Sequence, residues 1–341
     1  MAKLVPMRNE ALSDVLKVWL YAVASVMLGA WISPLFYNGG KALAEVSSEK
    51  QTNGLLEWLA DLCRIANFPT FFVLSLIFGG VILFLPFAGW LHGGRGKNGS
   101  VERRCGGRPI ENGQRLLKNP RATRHCVRGF LVVTMLFLLL SGILMVAGIF
   151  EWRQPPTGGV KWVGRMALLA FGMAALQEFL FRGVAMGIFL RAMRPSAALG
   201  LSAVLFALMY FLIPPPGLNV ADPDAAGVGF ELLRKVIGLF SEPRMIFGSF
   251  LPLLALGCVL AFARWRTASL WLPIGLNAGW IFVNGVMGVV TVAASSPGSM
   301  MWVLAGASLR QGLVPLAGIL IAGIMIDYLT TADPDASAAS L

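Results

Sequence analysis

Between Arg128 and Glu151 the chain reads GFLVVTMLFLLLSGILMVAGIF, with no charge anywhere in it. About 20 apolar residues carry a helix across the hydrocarbon of a bilayer, where every backbone polar group must find its partner inside the helix. The pattern recurs between Lys17 and Lys41, Arg64 and Arg95, Arg244 and Arg264, and again after Arg266. A chain built this way cannot fold as a water-soluble globule. Its composition agrees: 57% of residues are hydrophobic and 13% charged, against about 25% charged in soluble domains. Four cysteines are too few for a disulfide framework. The reading is an all-α polytopic membrane protein.

Eight spans follow. The first three lie in the Lys17–Lys41, Arg64–Arg95 and Arg128–Glu151 intervals. The fourth, about 162–190, has charges inside it. The fifth, SAALGLSAVLFALMYFLI, stops at Pro214-Pro215-Pro216-Gly217, because proline removes a helix donor and clashes with the preceding turn. The sixth lies between Arg244 and Arg264. The seventh opens an interval, uncharged until Arg310, that is too long for one helix, so its part from about Ser295 is expected as a loop or interfacial segment. The eighth is GLVPLAGILIAGIMI, and a short disordered tail, 331–341, follows.

The loop 93–128 holds ten Lys/Arg against two Glu, so the positive-inside rule makes it cytoplasmic. Alternation then places both termini in the cytoplasm and the loops 38–67 and 214–244 outside. The loop 151–165, also outside, disagrees mildly, with Arg153, Lys161 and Arg165 against Glu151. The first span reads as a retained helix rather than a cleaved signal. The ten basic residues suit anionic lipid at the cytoplasmic leaflet, and with no aromatic interleaving nucleic acid is not expected. The same region holds His92, Cys105, His125 and Cys126. Their irregular spacing argues against a zinc site, and no metal or other cofactor is expected.

The fourth span carries the chemistry. Glu178 and Arg182 stand four residues apart on one helix face, close enough to neutralise each other. Charges inside a membrane helix point to a functional site, and a pair that locks helix packing is the competing reading. The run Gln177-Glu178-Phe179-Leu180-Phe181-Arg182-Gly183 resembles the Glu-Glu-x-x-x-Arg-Gly motif of the CPBP family, the type II CAAX prenyl endopeptidases and their bacteriocin-processing and immunity relatives. The family's Phe-x-x-x-His motif is matched by Phe206 with Tyr210 at the His position. Its His-x-x-x-Asn motif falls on Asn277 and Ile281. The resemblance covers about 165–290.

The resemblance implies an intramembrane peptidase in which the first Glu and the His residues activate water and an Asn stabilises the oxyanion. That chemistry needs a base and preorganised donors. Here Gln177 cannot take the proton, and no His lies anywhere in the matched region. Glu178 and Arg182 are what would remain of a catalytic set.

The expectation is therefore a CPBP-like core over 161–330, after N-terminal spans over 1–160, in a non-catalytic accessory or scaffold subunit that holds another membrane protein. The membrane expected for it is the bacterial inner membrane. Two alternatives stay open: a working protease rearranged around Glu178, and a lipid- or isoprenoid-binding protein. The small-xxx-small pairs Gly183/Gly187 and Gly275/Gly279 read as close helix packing within the monomer or as a partner face.

Overall fold

The computed structural model describes residues 9–49, 54–93, 104–105, 108–109, 119–154, 159–215, 217–225, 227–293, 306 and 308–331. Its helices are α1 (Asn9–Glu49), α2 (Gly54–Ile65), α3 (Phe68–Gly93), α4 (Ala122–Val146), α5 (Gly159–Glu178), α6 (Met186–Ala192), α7 (Pro195–Phe211), α8 (Val228–Gly238), α9 (Leu251–Thr267), α10 (Trp271–Val290) and α11 (Leu313–Thr331). A π-helical turn, Phe179–Ala185, runs from α5 into α6, and a second, Ile246–Phe250, leads into α9. Two short antiparallel ladders complete it: β1 (Arg104–Cys105) with β2 (Arg108–Pro109), and β3 (Phe150–Trp152) with β4 (Thr291–Ala293).

Among the described residues seven helical stretches are long and apolar enough to cross a membrane: 12–47, 68–91, 122–146, 161–192, 243–267, 271–290 and 313–330. The fold is that of an all-α integral membrane protein. The expected fifth span is helical too, but as α7 it has 17 residues, about 25 Å at 1.5 Å per residue, short of a 30 Å core.

Two expected loops are largely helical. In 38–67, α1 continues to Glu49 and α2 follows. In 214–244, α8 appears. Hydropathy finds spans and passes over short amphipathic helices. Most of the basic loop, His92 and Cys105 side chains included, the segment from Ser295 to 305 and the tail from 332 lie outside the described residues, whereas Arg124, His125, Cys126 and Arg128 sit in the first turns of α4.

The chain divides into two compact units, Met1–Ser100 with Phe211–Glu242, and Val101–Tyr210 with Pro243–Leu341. In the first, small residues let α1 and α3 touch. A methyl on Gly29 would lie 2.6 Å from the Leu76 Cα, and one on Gly79 2.8 Å from the Ser25 carbonyl oxygen. The Tyr21 hydroxyl donates to Gly80 O at 2.6 Å and Ser75 to Gly29 O at 2.8 Å. Lys41 Nζ donates to the carbonyls of Cys63, Arg64 and Ala66 at 2.8–3.2 Å. It thereby satisfies orphan acceptors at the end of α2.

In the second unit α4 and α10 run side by side. Gly275 lies on the Cys126 carbonyl, and a methyl on Gly279 would stand 2.8 Å from Phe130 O. Further along, Phe137 meets Trp280 edge to face at 5.0 Å. The contacts advance together along both helices, so the two point the same way, as the third and seventh spans of the sequence reading do. Their far ends are tied by the β3–β4 ladder, Phe150 opposite Ala293 and Trp152 opposite Thr291, with Arg153 N donating to Val290 O at 2.7 Å. The pair Gly275/Gly279 is thus spent inside the monomer. The pair Gly183/Gly187 is not: Gly183 meets Leu270 at an ordinary 3.6 Å, and nothing stands within 4 Å of a methyl on Gly187.

Candidate functional site

The charged span changes its winding at the motif. Glu178 is the last residue of α5, and the wider π turn begins at Phe179. Such turns aim side chains that a regular helix would not. Glu178 and Arg182 are both fully buried, joined Oε1 to Nη1 at 2.9 Å. A buried pair holds only where further hydrogen bonds satisfy both groups, and here three other helices supply contacts.

From α10, Asn277 Nδ2 donates to Glu178 Oε1 at 2.8 Å and to Gln177 Oε1 at 3.0 Å. From α9, the Gly257 carbonyl accepts Arg182 Nη2 at 3.2 Å. From α7, the Phe206 ring lies under the guanidinium, 4.2 Å from its carbon to the centroid, a cation–π contact strengthened by the absence of water. Gly257 also brings α7 and α9 together, since a methyl there would stand 2.9 Å from Ala203 O. Phe206 meets the tilted ring of Tyr210, centroids 4.9 Å apart. The Tyr210 hydroxyl in turn hydrogen-bonds Gln177 and feels the charge of Arg310.

The structure therefore gathers Gln177, Glu178, Arg182, Phe206, Tyr210 and Asn277 into one buried cluster. Ile281 takes another course. It packs against the apolar group Ala174, Leu270, Ile274 and Ala278, together with Phe130 and Phe171. The position of the family's oxyanion Asn thus belongs to a greasy helix contact. One turn on, Asn284 spends its amide on the Trp280 carbonyl of its own helix, at 2.9 Å.

Chemically the cluster is a closed polar knot. Its one carboxylate accepts two donors on a single oxygen. The motif's other acidic position is occupied by an amide, Gln177. Glu178 Oε2, Asn277 Oδ1 and Arg182 Nε have no hydrogen-bond partner among the described residues. No group of three His, Cys, Asp or Glu able to hold a metal comes together among those residues.

Two participants escaped the sequence reading. Gly257 looked like any small residue in an apolar span. Arg310 had a visible signal: it is the one charge between Arg266 and Asp327.

An α-helical membrane protein with an acidic–basic motif buried at a helix junction is the class that fold and site define. Residues 159–283 match the family described as Type II CAAX prenyl endopeptidase Rce1-like. The chain thus carries an Rce1-like domain of the CPBP family in that stretch, from the first residue of α5 to the middle of α10. No curated protein and no solved structure matches the chain.

Proposed function

We propose that this protein is a non-catalytic relative of the CPBP peptidases, an accessory or scaffold subunit that binds another membrane protein. The observation that carries the reading is the Glu178–Arg182 pair, each side chain 0% exposed, with Asn277 on the same carboxylate oxygen. A general base needs a free lone pair within reach of the proton it takes. Here the carboxylate is sealed from solvent, with Oε1 held by two donors and Oε2 buried beside it, and the position where the motif has its first Glu is Gln177. The former catalytic positions act as a lock that fastens α5, α9 and α10 together.

Under this reading the protein sits in a bacterial inner membrane with loop 93–128 on the cytoplasmic side, where basic loops are retained. The locked core presents its lipid-facing surface to the partner.

Two measurements test the proposal. Native mass spectrometry after gentle detergent extraction should find a stoichiometric protein partner, and a lone monomer rejects the subunit role. In a peptide-cleavage assay the wild type should be inactive, and cleavage abolished by Glu178→Ala rejects the non-catalytic reading.

A further inference from the structure

The connection between the fifth and sixth spans reads from sequence as a loop outside the membrane, yet part of it packs at the level of the membrane's middle. Within the first unit, Gly229 in the first turn of α8 lies so close to α1 that a methyl there would overlap the Ala30 carbonyl oxygen and the Ser33 hydroxyl. Val228, Leu232, Leu233 and Val236 are buried with it.

The depth of that contact follows from α1. Lys17 pairs with Asp14 and lies over the Trp90 ring at one end of the uncharged stretch. Lys41 sits among the α2 carbonyls at the other. Ala30 is about 16 Å along the axis from Lys41 and about 20 Å from Lys17. A second ruler agrees: the neighbouring contacts on α3 are Leu76 and Gly79, halfway along its own uncharged length. Gly229 therefore touches α1 near the bilayer midplane.

The other edge of α8 is charged. Glu231 and Lys235 are paired at 2.8 Å with their side chains 38% and 34% exposed, and Arg234 is exposed. All three lie within about 9 Å of Gly229 along the helix axis. Glu231, one half-turn from the contact, is the deepest, and its short side chain cannot reach the interface as a long Lys or Arg stem can. A charged edge at this depth does not face hydrocarbon.

We infer that α8 is a re-entrant helix and that Glu231, Arg234 and Lys235 line a water-filled recess reaching the middle of the membrane. The occupant is solvent. The recess admits hydrophilic solutes to the depth of the Gly229 contact on α1.

Two positions at one depth test this. Trp31, beside Ala30 on α1, is 69% exposed and faces away from the core. Glu231→Cys and Trp31→Cys are made separately in the full chain and exposed, in sealed native membranes, to a membrane-impermeant methanethiosulfonate. Peptide-level mass spectrometry separates each site from the four native cysteines. The reagent attacks thiolates, which form in water, so Glu231→Cys should react about tenfold or more faster than Trp31→Cys. Arg234→Cys, which keeps the Glu231–Lys235 pair, should react as Glu231→Cys does and guards against a misfolded first variant. Equal rates overturn the inference. If both are fast, the Ala30 level lies outside the hydrocarbon. If both are slow, the charged edge of α8 meets lipid or protein.

Discussion

Asn277 Nδ2 stands 2.8 Å from Glu178 Oε1, the same oxygen that Arg182 engages at 2.9 Å. A carboxylate oxygen in a dry interior is thus shared by a cation of its own helix and an amide from α10. Removing the amide leaves Oε1 with Arg182 as its single donor and takes from Gln177 Oε1 its donor on α10, and hydrogen bonds lost in this way cost about 1–3 kcal/mol. Asn277→Ala should lower the unfolding midpoint in detergent accordingly. An unchanged midpoint would show that this contact adds nothing to the lock.

The ion pair itself should show strong coupling. Arg182→Met alone leaves Glu178 buried with one donor, a change that costs about 3–5 kcal/mol in comparable sites. Adding Glu178→Leu removes the stranded charge and should recover most of the loss. Thermal unfolding of the two single variants and the double variant measures the coupling. Additive losses would place the two groups in separate environments and would falsify the shared lock.

The glycines of the two small-xxx-small pairs should respond in opposite ways. A methyl on Gly275 collides with the Cys126 backbone, which cannot step aside without parting α4 from α10. A methyl on Gly187 meets nothing within 4 Å. Gly275→Ala should destabilise the detergent-solubilised protein by about 1–3 kcal/mol, the usual range for overpacking. Gly187→Ala should be neutral or stabilise by up to about 1 kcal/mol, since alanine is the better helix former. A loss on Gly187→Ala measured in native membranes but absent in detergent would instead mark that glycine as a contact to another chain.

Much of this architecture was legible in the sequence, because hydrophobic runs bounded by charge report spans directly. The meeting of Glu178 and Arg182 was legible for a similar reason: four residues along a helix return to the same face. What spacing cannot report is which distant helix closes over them. Asn277 sits 99 residues beyond Glu178, and its alignment position suggested a lost catalytic group rather than a structural donor. The acceptor role of Gly257 depends on a backbone carbonyl, which leaves no mark on residue identity. Ile281 could be seen as a departure from the motif, but its apolar neighbours on α4 and α5 could not. The helix α8 was hidden by its charges, which made a short helix with one buried face look like a loop.

Lys41 offers a test of how the first unit holds its short helix. Its ammonium reaches the carbonyls of Cys63, Arg64 and Ala66 and stands 5.6 Å from the Tyr37 ring centroid, so one side chain of α1 fastens both the end of α2 and the turn into α3. Lys41→Met keeps most of the aliphatic stem while deleting the donors. Charge-assisted bonds to partly exposed carbonyls suggest a loss on the order of 1–2 kcal/mol. That loss should be local, because α1 and α3 remain joined by Gly29, Gly79, Tyr21 and Ser75. Hydrogen exchange should therefore quicken across Gly54–Ile65 while amides along the α1–α3 contact keep their protection. Faster exchange through α3 as well would mean that the α2 attachment sets the register of the whole helical pair.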